Sequence, residues 1–319
     1  MPMNGKVAYL FPAFSMKYRD FGRKPLDGYA DEVGEYLARA SAVVAIDPRK
    51  FEKPGEFMLD DELQDDLQEH YVAYVDSCAL ASLLTKRGIR CDYAAGYSMG
   101  VFAALHHGGA VAFEDGLQLL HQVCTSAHEA VEGGAYGMGV VVGLTADEIA
   151  ALIAQVCPRV EVADVCAPRV VVASGARADL EKFFAASEAE GSMHSKFLPV
   201  TVPFHSVFLR EAEDKIRRFL GQIEVREPAC GIVSCVTQKV LVSADDVREE
   251  AVGNLWRPIR WYKTMCRLLD LGVDVFLECG LSDSLCNLAR NVEGDFRTYH
   301  PRTFDRLLAS EVPASATFA

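Results

Sequence analysis

Gly96-Tyr97-Ser98-Met99-Gly100 lies between a short apolar run, Tyr93-Ala94-Ala95, and the helical pattern Val101-Phe102-Ala103-Ala104-Leu105. A serine with a glycine two residues to each side, a strand before and a helix after, is the sequence form of a sharp strand-turn-helix elbow. The turn is so tight that a Cβ at either glycine would strike the neighbouring strand or helix, and the serine itself is forced into a strained conformation. Such a turn belongs to a sheet covered by helices, so it commits the chain to an α/β architecture. It also lifts the Ser98 hydroxyl clear of the backbone, beside the first N–H groups of the helix, which can stabilise a developing oxyanion. Ser98 is the leading candidate nucleophile.

The 319 residues, 50% of them hydrophobic, are enough for one large α/β unit with a smaller insertion. A net charge of −13 excludes a nucleic-acid binder, which needs a concentrated basic surface, and disfavours an acidic membrane surface. Val7 to Phe11 is too short for a signal core and reads as a first buried strand, so a cytoplasmic protein is expected. The ten cysteines contain no Cys-x-x-Cys pair; they read as free buried thiols in a reducing compartment, and no metal site is expected.

Along the chain, a strand from Lys6 to Pro12 leads into the loop Ala13-Phe14-Ser15, then a helix from Asp27 to Ala42. Phe51 to Gln68 is acidic and reads as irregular, and His70 to Lys86 has a helical apolar period stopped by Gly88. After the elbow, Phe113 to Val131 is helical, and Gly133-Gly134 marks a change of composition. From there Met138–Leu144, Thr145–Ala154, Val160–Val165, Val170–Ala173, Ala178–Ala189 and Ser195–Val200 give a βαββαβ order, the ferredoxin-like unit, with Thr145 and Glu148 forming a capping box. Helix and strand signals then alternate again at Val207–Leu220, Gly231–Cys235, Trp261–Leu271, Val273–Leu277 and Ser282–Val292. The expected division is a large α/β unit from 1–132 and 201–308 with a mostly parallel sheet, a small ferredoxin-like unit from 133–200, and a tail from 309–319.

A serine hydroxyl is almost fully protonated at neutral pH and needs a general base within hydrogen-bond reach, most often histidine. Among eight histidines, His106 and His107 lie two turns along the elbow helix and project away, and His121 and His128 share a helix and read equally as surface or core. His205 ends Val202-Pro203-Phe204-His205, where a strand leaves the small unit and a helix begins, the kind of junction at which doubly wound folds place catalytic groups. The competing reading is a helix-capping histidine. A third, orienting carboxylate is poorly supported: Asp164 and Asp179 are the candidates between Ser98 and His205, and Asp179 falls on a helix that reads as exposed.

Taken together, Phe11-Pro12, the Gly96–Gly100 elbow with Ala103-Ala104-Leu105 and Gly109-Ala110-Val111, Val202–His205, Arg257-Pro258-Ile259-Arg260-Trp261 and Glu278-Cys279-Gly280 resemble the malonyl-CoA:acyl carrier protein transacylase family, including stand-alone acyltransferases of polyketide synthases. The resemblance covers nearly the whole chain. It implies a hydrolase-like α/β core with a ferredoxin-like subdomain, and a Ser98/His205 dyad whose histidine is oriented by a backbone carbonyl rather than by an acid. It also implies backbone oxyanion donors at Phe14 and Met99, where Phe14 stands in place of the family's glutamine. Tyr97 replaces the usual histidine before the nucleophile, and Asp164 and Cys166 stand where asparagines often line the site. The arginine that holds a malonyl carboxylate in relatives falls on Val123.

No arginine occurs between Phe102 and Pro158, so a shift of helical register does not restore one. An unpaired carboxylate in a closed pocket should cost about 3 kcal/mol or more, roughly a hundredfold in discrimination. An uncharged chain would instead gain from an apolar wall of Val123, Phe14 and Phe204, at about 25 cal/mol per Å²; His121 or Arg260 would be the alternative sources of charge. The expectation is a monomeric acyltransferase passing a non-carboxylated acyl group from a thioester, on CoA or acyl carrier protein, to a carrier-protein phosphopantetheine thiol, with no bound cofactor or metal. The alternatives are an editing thioesterase on the same fold and a malonyl transacylase with an unusual carboxylate-binding residue.

Overall fold

The computed structural model describes residues 5–14, 26–52 and 58–311; Ser15 of the first loop and the tail beyond 311 lie outside them. The first part of the chain runs β1 (Lys6–Phe11), α1 (Tyr29–Ser41), α2 (Pro48–Glu52), α3 (Glu62–Lys86), β2 (Tyr93–Gly96), α4 (Val101–His107) and α5 (Phe113–Ala130). Then come β3 (Tyr136–Val142), α6 (Ala146–Val156), β4 (Val160–Ala167), β5 (Val170–Ala176), α7 (Arg177–Ala189) and β6 (His194–Phe197). The remainder is α8 (Glu213–Leu220), β7 (Gly231–Val233), β8 (Val240–Leu241), α9 (Ala244–Trp256), α10 (Trp261–Asp270), β9 (Val273–Glu278), α11 (Ser284–Ala289), β10 (Arg297–Tyr299) and α12 (Phe304–Glu311).

Six strands form one sheet in the order β10-β9-β1-β2-β7-β8. Every pairing is parallel except the β7–β8 edge. β1 lies inside this sheet and is buried from Val7 to Phe11, as expected of a parallel strand covered by helices on both faces. Its register pairs Phe11 with Gly96 at the end of β2. The two strands therefore finish side by side, and the loop after β1 and the elbow after β2 emerge together at the carboxyl edge, where open α/β sheets place their sites.

The second sheet, in the order β4-β5-β3-β6, is antiparallel throughout. With α6 and α7 it completes the βαββαβ unit around its own core of Val141, Ile149, Leu152, Leu180 and Phe183. The Thr145–Glu148 capping box starts α6. The Arg257–Trp261 segment ties the two sheets together: Ile259 N–H donates to the Ala163 carbonyl at 2.9 Å and Trp261 N–H to Asp164 Oδ1 at 3.0 Å.

Several stretches differ from the sequence reading: α2, β8, β10 and α12 are additional elements, β6 ends at Phe197, not Val200, and the helix expected over Val207–Leu220 is α-helical only from Glu213. Phe51–Gln68 is not irregular to its end, because α3 begins at Glu62, where Asp61 Oδ1 accepts the Gln64 N–H at 2.9 Å. The acidity that looked like loop composition is instead the favourable charge of a helix N-terminus, with Glu62 and Asp65 in the first turn. α9 was passed over entirely, although Ser243 caps it by accepting from Asp246 N–H at 3.1 Å.

Candidate active site

Ser98 has φ of 51°, left-handed backbone that costs an ordinary residue about 1–2 kcal/mol. The flanking glycines explain how the turn closes. A Cβ on Gly96 would sit 2.2 Å from Val101 N, and one on Gly100 would sit 2.1 Å from the Phe11 carbonyl oxygen. Gly96 thus lets the turn fold back onto the start of its own helix, and Gly100 lets the elbow lie directly against the end of β1.

His205 reaches the same point from the other half of the chain. It too has positive φ, 59°, and its turn is fastened on several sides. His205 N–H donates to Leu255 O at 3.0 Å, Ser174 Oγ to Phe204 O at 2.6 Å, and Ser206 Oγ to Pro203 O at 2.5 Å. The result is a 2.7 Å contact between Ser98 Oγ and His205 Nε2, the distance a serine–histidine proton transfer requires. Two strained residues meeting at hydrogen-bond distance are characteristic of a site held by the surrounding fold.

His205 is buried, and burial pushes its pKa down from the usual 6.5 to about 4, while main-chain groups of Asn254 and Arg257 act weakly in the opposite direction. Nδ1 makes no aligned hydrogen bond, and the Asn254 and Arg257 main chain is what faces the ring where an acid would stand in a triad. The imidazole is therefore neutral at pH 7 and ready to accept a proton. The base must be unprotonated, so activity is lost as pH falls through the folded-state value. A pH profile of kcat/KM on an acyl thioester should show its acid limb near pH 4 and not near 6.5; a limb at 6.5 would mean the imidazole is solvated. The same depression has a stability consequence. Between about pH 6.5 and 4 the unfolded chain binds the proton and the folded one does not, so stability falls across that window. His107, lowered to about 4 by burial, adds to the effect.

The N–H groups of Phe14 and Met99 enter no hydrogen bond among the described residues, which leaves them available as oxyanion donors. Met99, Val123 and Phe204 belong to one continuous core cluster, and Phe14 packs against it. A cavity of about 10 Å³, room for a single water, lies behind the elbow between Pro12, Ala13, His70, Ala103 and Met99.

Other sequence-selected residues are placed differently. Arg260 is exposed; it alternates with buried Ile259 and Trp261, and in an extended segment that alternation turns it to solvent. His121 Nδ1 lies 2.5 Å from Tyr71 OH, and burial lowers its pKa from the usual value. Buried Asp164, Cys166 and Trp261 form a cluster with half-buried Tyr97 at the seam between the sheets. Cys166 Sγ donates to Asp164 Oδ2 at 2.8 Å, Tyr97 OH lies 3.6 Å from Cys166 Sγ, and the Tyr97 ring meets Trp261 edge-on at 5.3 Å. Burial raises Asp164 to about 6. Asp179 is buried and paired with Arg159 and Lys182, not on an open helix face.

Two residues the sequence reading missed belong to the site. Asn254 on α9 donates from Nδ2 to the Ser98 carbonyl at 3.0 Å, bracing the elbow. The fully buried His70 ring stacks on Phe14 with centroids 4.8 Å apart. The cap of α9 was a visible signal for the first; only a polar residue amid an apolar helical run hinted at the second.

A serine–histidine pair at the carboxyl edge of a hydrolase-like parallel sheet, beside a ferredoxin-like unit, defines a class of enzymes that work through an acyl-serine. The acyl transferase domain family matches residues 61–285, and the chain belongs to that family, as an acyltransferase of the malonyl-CoA:acyl carrier protein transacylase type. It is 25% identical over 305 residues to the malonyl CoA-acyl carrier protein transacylase of Bacillus subtilis (strain 168), covering 92% of each chain. It superposes with a TM-score of 0.86 on an acyl-carrier-protein S-malonyltransferase from Burkholderia pseudomallei 1710b, at 28% identity, covering 95% of this chain and 99% of that one. A malonyl-transacylase solved in complex with a type II polyketide synthase acyl-carrier protein, PlMCAT:AntF, gives a TM-score of 0.84 at 25% identity, over 92% of this chain and 95% of that one.

Proposed function

We propose that the protein moves a non-carboxylated acyl group from a CoA or carrier-protein thioester to a carrier-protein phosphopantetheine thiol, in polyketide or related biosynthesis. The observation that carries this reading is Val123. It is buried at the position where the family resemblance puts a carboxylate-holding arginine, and no arginine occurs between Phe102 and Pro158 to take over that task. A malonyl carboxylate would enter without a partner, whereas an uncharged chain would bury apolar surface.

In this scheme His205 Nε2 takes the Ser98 proton as Oγ attacks the thioester carbonyl. The oxyanion accepts from Phe14 and Met99 N–H, and the proton then goes to the departing thiolate as the acyl-serine forms. The incoming phosphopantetheine thiol gives its proton to the same nitrogen and the steps reverse. The carrier protein as partner is supported by the PlMCAT:AntF complex. Lys196, Arg210, Arg260 and Lys263 are exposed and offer local positive charge to an acidic partner on a chain whose net charge would otherwise repel it.

Incubation with acetyl-, longer acyl- and malonyl-CoA followed by intact mass measurement should give a Ser98 adduct with the uncharged chains, favoured by roughly a hundredfold over malonyl. Preferential malonyl labelling would overturn the substrate assignment. Addition of a holo-carrier protein should move the label onto it; release of free acid with no carrier labelling would make the protein a hydrolase.

A further inference from the structure

Asp66 and His70 on α3, and Cys124 and His128 on α5, are two i, i+4 pairs, each on one face of its helix, and the two helices pack against each other. Asp66, His70 and Cys124 converge on one point, and His128 joins them through Asp66. Asp66 Oδ2 accepts from Cys124 Sγ at 3.3 Å and lies 3.0 Å from His128 Nε2, and Asp66 Oδ1 lies 3.5 Å from His70 Nε2. The ligand atoms of Asp66, His70 and Cys124 all lie within 4.8 Å of one another. A tetrahedral zinc ion with bonds of roughly 2.0–2.3 Å holds neighbouring ligand atoms roughly 3.3–3.7 Å apart, so little movement separates these three from a coordination shell, with His128 beside Asp66 as the fourth donor.

The second observation is His70 itself. It is completely buried and neither ring nitrogen makes a hydrogen bond; the Ala13 main chain acts on it but out of line. A buried imidazole with no aligned hydrogen bond is costly unless something else uses its lone pair. We propose that Asp66, His70, Cys124 and His128 bind a divalent transition metal of the zinc class. Two imidazoles, a thiolate and a carboxylate form the borderline-soft donor set that suits zinc. The Cys124 thiol releases its proton to solvent as the metal–sulfur bond forms. Asp66 and His128 keep side-chain exposures of 21% and 16% and provide the way in. Because His70 stacks on Phe14, the metal would lock the loop that carries an oxyanion donor to the α3–α5 pair.

The test uses the full chain, stripped of metal and titrated with Zn²⁺ alone against a chromophoric chelator, and separately with Co²⁺. One equivalent should bind, and Co²⁺ should give a thiolate-to-metal charge-transfer band with the strong visible bands of a four-coordinate ion. Cys124→Ser should abolish that band and weaken Zn²⁺ binding by at least the ~100-fold that even an outer-shell loss can cost. His128→Gln, at a less buried ligand, should weaken it similarly with unchanged circular dichroism, and serves if the serine variant does not fold. Absence of the charge-transfer band in the wild-type protein, or Zn²⁺ affinity unchanged in a folded variant, would overturn the site.

Discussion

Ser98→Ala is expected to lower kcat/KM for acyl transfer by about 10⁴ to 10⁶ and to leave no covalent adduct with any acyl thioester. The size follows from the chemistry. The hydroxyl is the atom that becomes acylated, and the 2.7 Å contact with His205 Nε2 makes it reactive; no nearby group can replace it, since the thiol in the adjoining cluster, Cys166, is directed to Asp164 and burial drives its pKa well above the ordinary range. Alanine inherits the same left-handed backbone as serine at 98, so the fold should melt within about 1 kcal/mol of the parent. His205→Ala should cost a comparable factor, because an unassisted hydroxyl is a poor nucleophile at pH 7. The double variant should be little worse than either single one, as expected for two groups acting as a unit. Turnover near the parental level in either variant would remove the dyad.

What the sequence made legible was local. The elbow, the βαββαβ order and the Thr145–Glu148 box each depend on residues a few positions apart, and each is found in the structure as chain chemistry requires. His205 was reachable because a proline-bearing strand end before a helix start is itself a local sign of an edge of the sheet. Other features depend on long-range meetings. Asn254 braces a carbonyl 156 residues away in sequence; the Ser243 cap marks the helix α9, but no local pattern marks which residue of it reaches the elbow. Asp66, His70, Cys124 and His128 escape a search for Cys-x-x-Cys spacing because their ligand pairs follow the helix period on two separate helices. Arg260 shows the converse: the alternation of an extended segment turns it outward between buried Ile259 and Trp261, a local pattern. The acidic run before α3 shows a further ambiguity, since charge composition alone does not distinguish a loop from a helix N-terminus.

Val123→Arg is expected to raise malonyl loading relative to acetyl loading by roughly a hundredfold, reversing the preference proposed for the parent. Val123 is one helical turn beyond Leu119 on the buried face of α5, and a planar guanidinium there can grip a free carboxylate through two parallel hydrogen bonds. The gain comes with a cost in the unacylated enzyme, where the new cation is buried without a partner, a situation that destabilises by about 3–5 kcal/mol. The variant should therefore melt well below the parent and recover on forming malonyl-serine. Val123→Lys should gain less, having the charge but not the fork, and Val123→Met should gain nothing on malonyl while keeping the uncharged substrates. An arginine variant that folds and accepts acetyl from CoA yet loads malonyl no better than the parent would place residue 123 outside the wall of the acyl pocket, and the substrate assignment would lose its support.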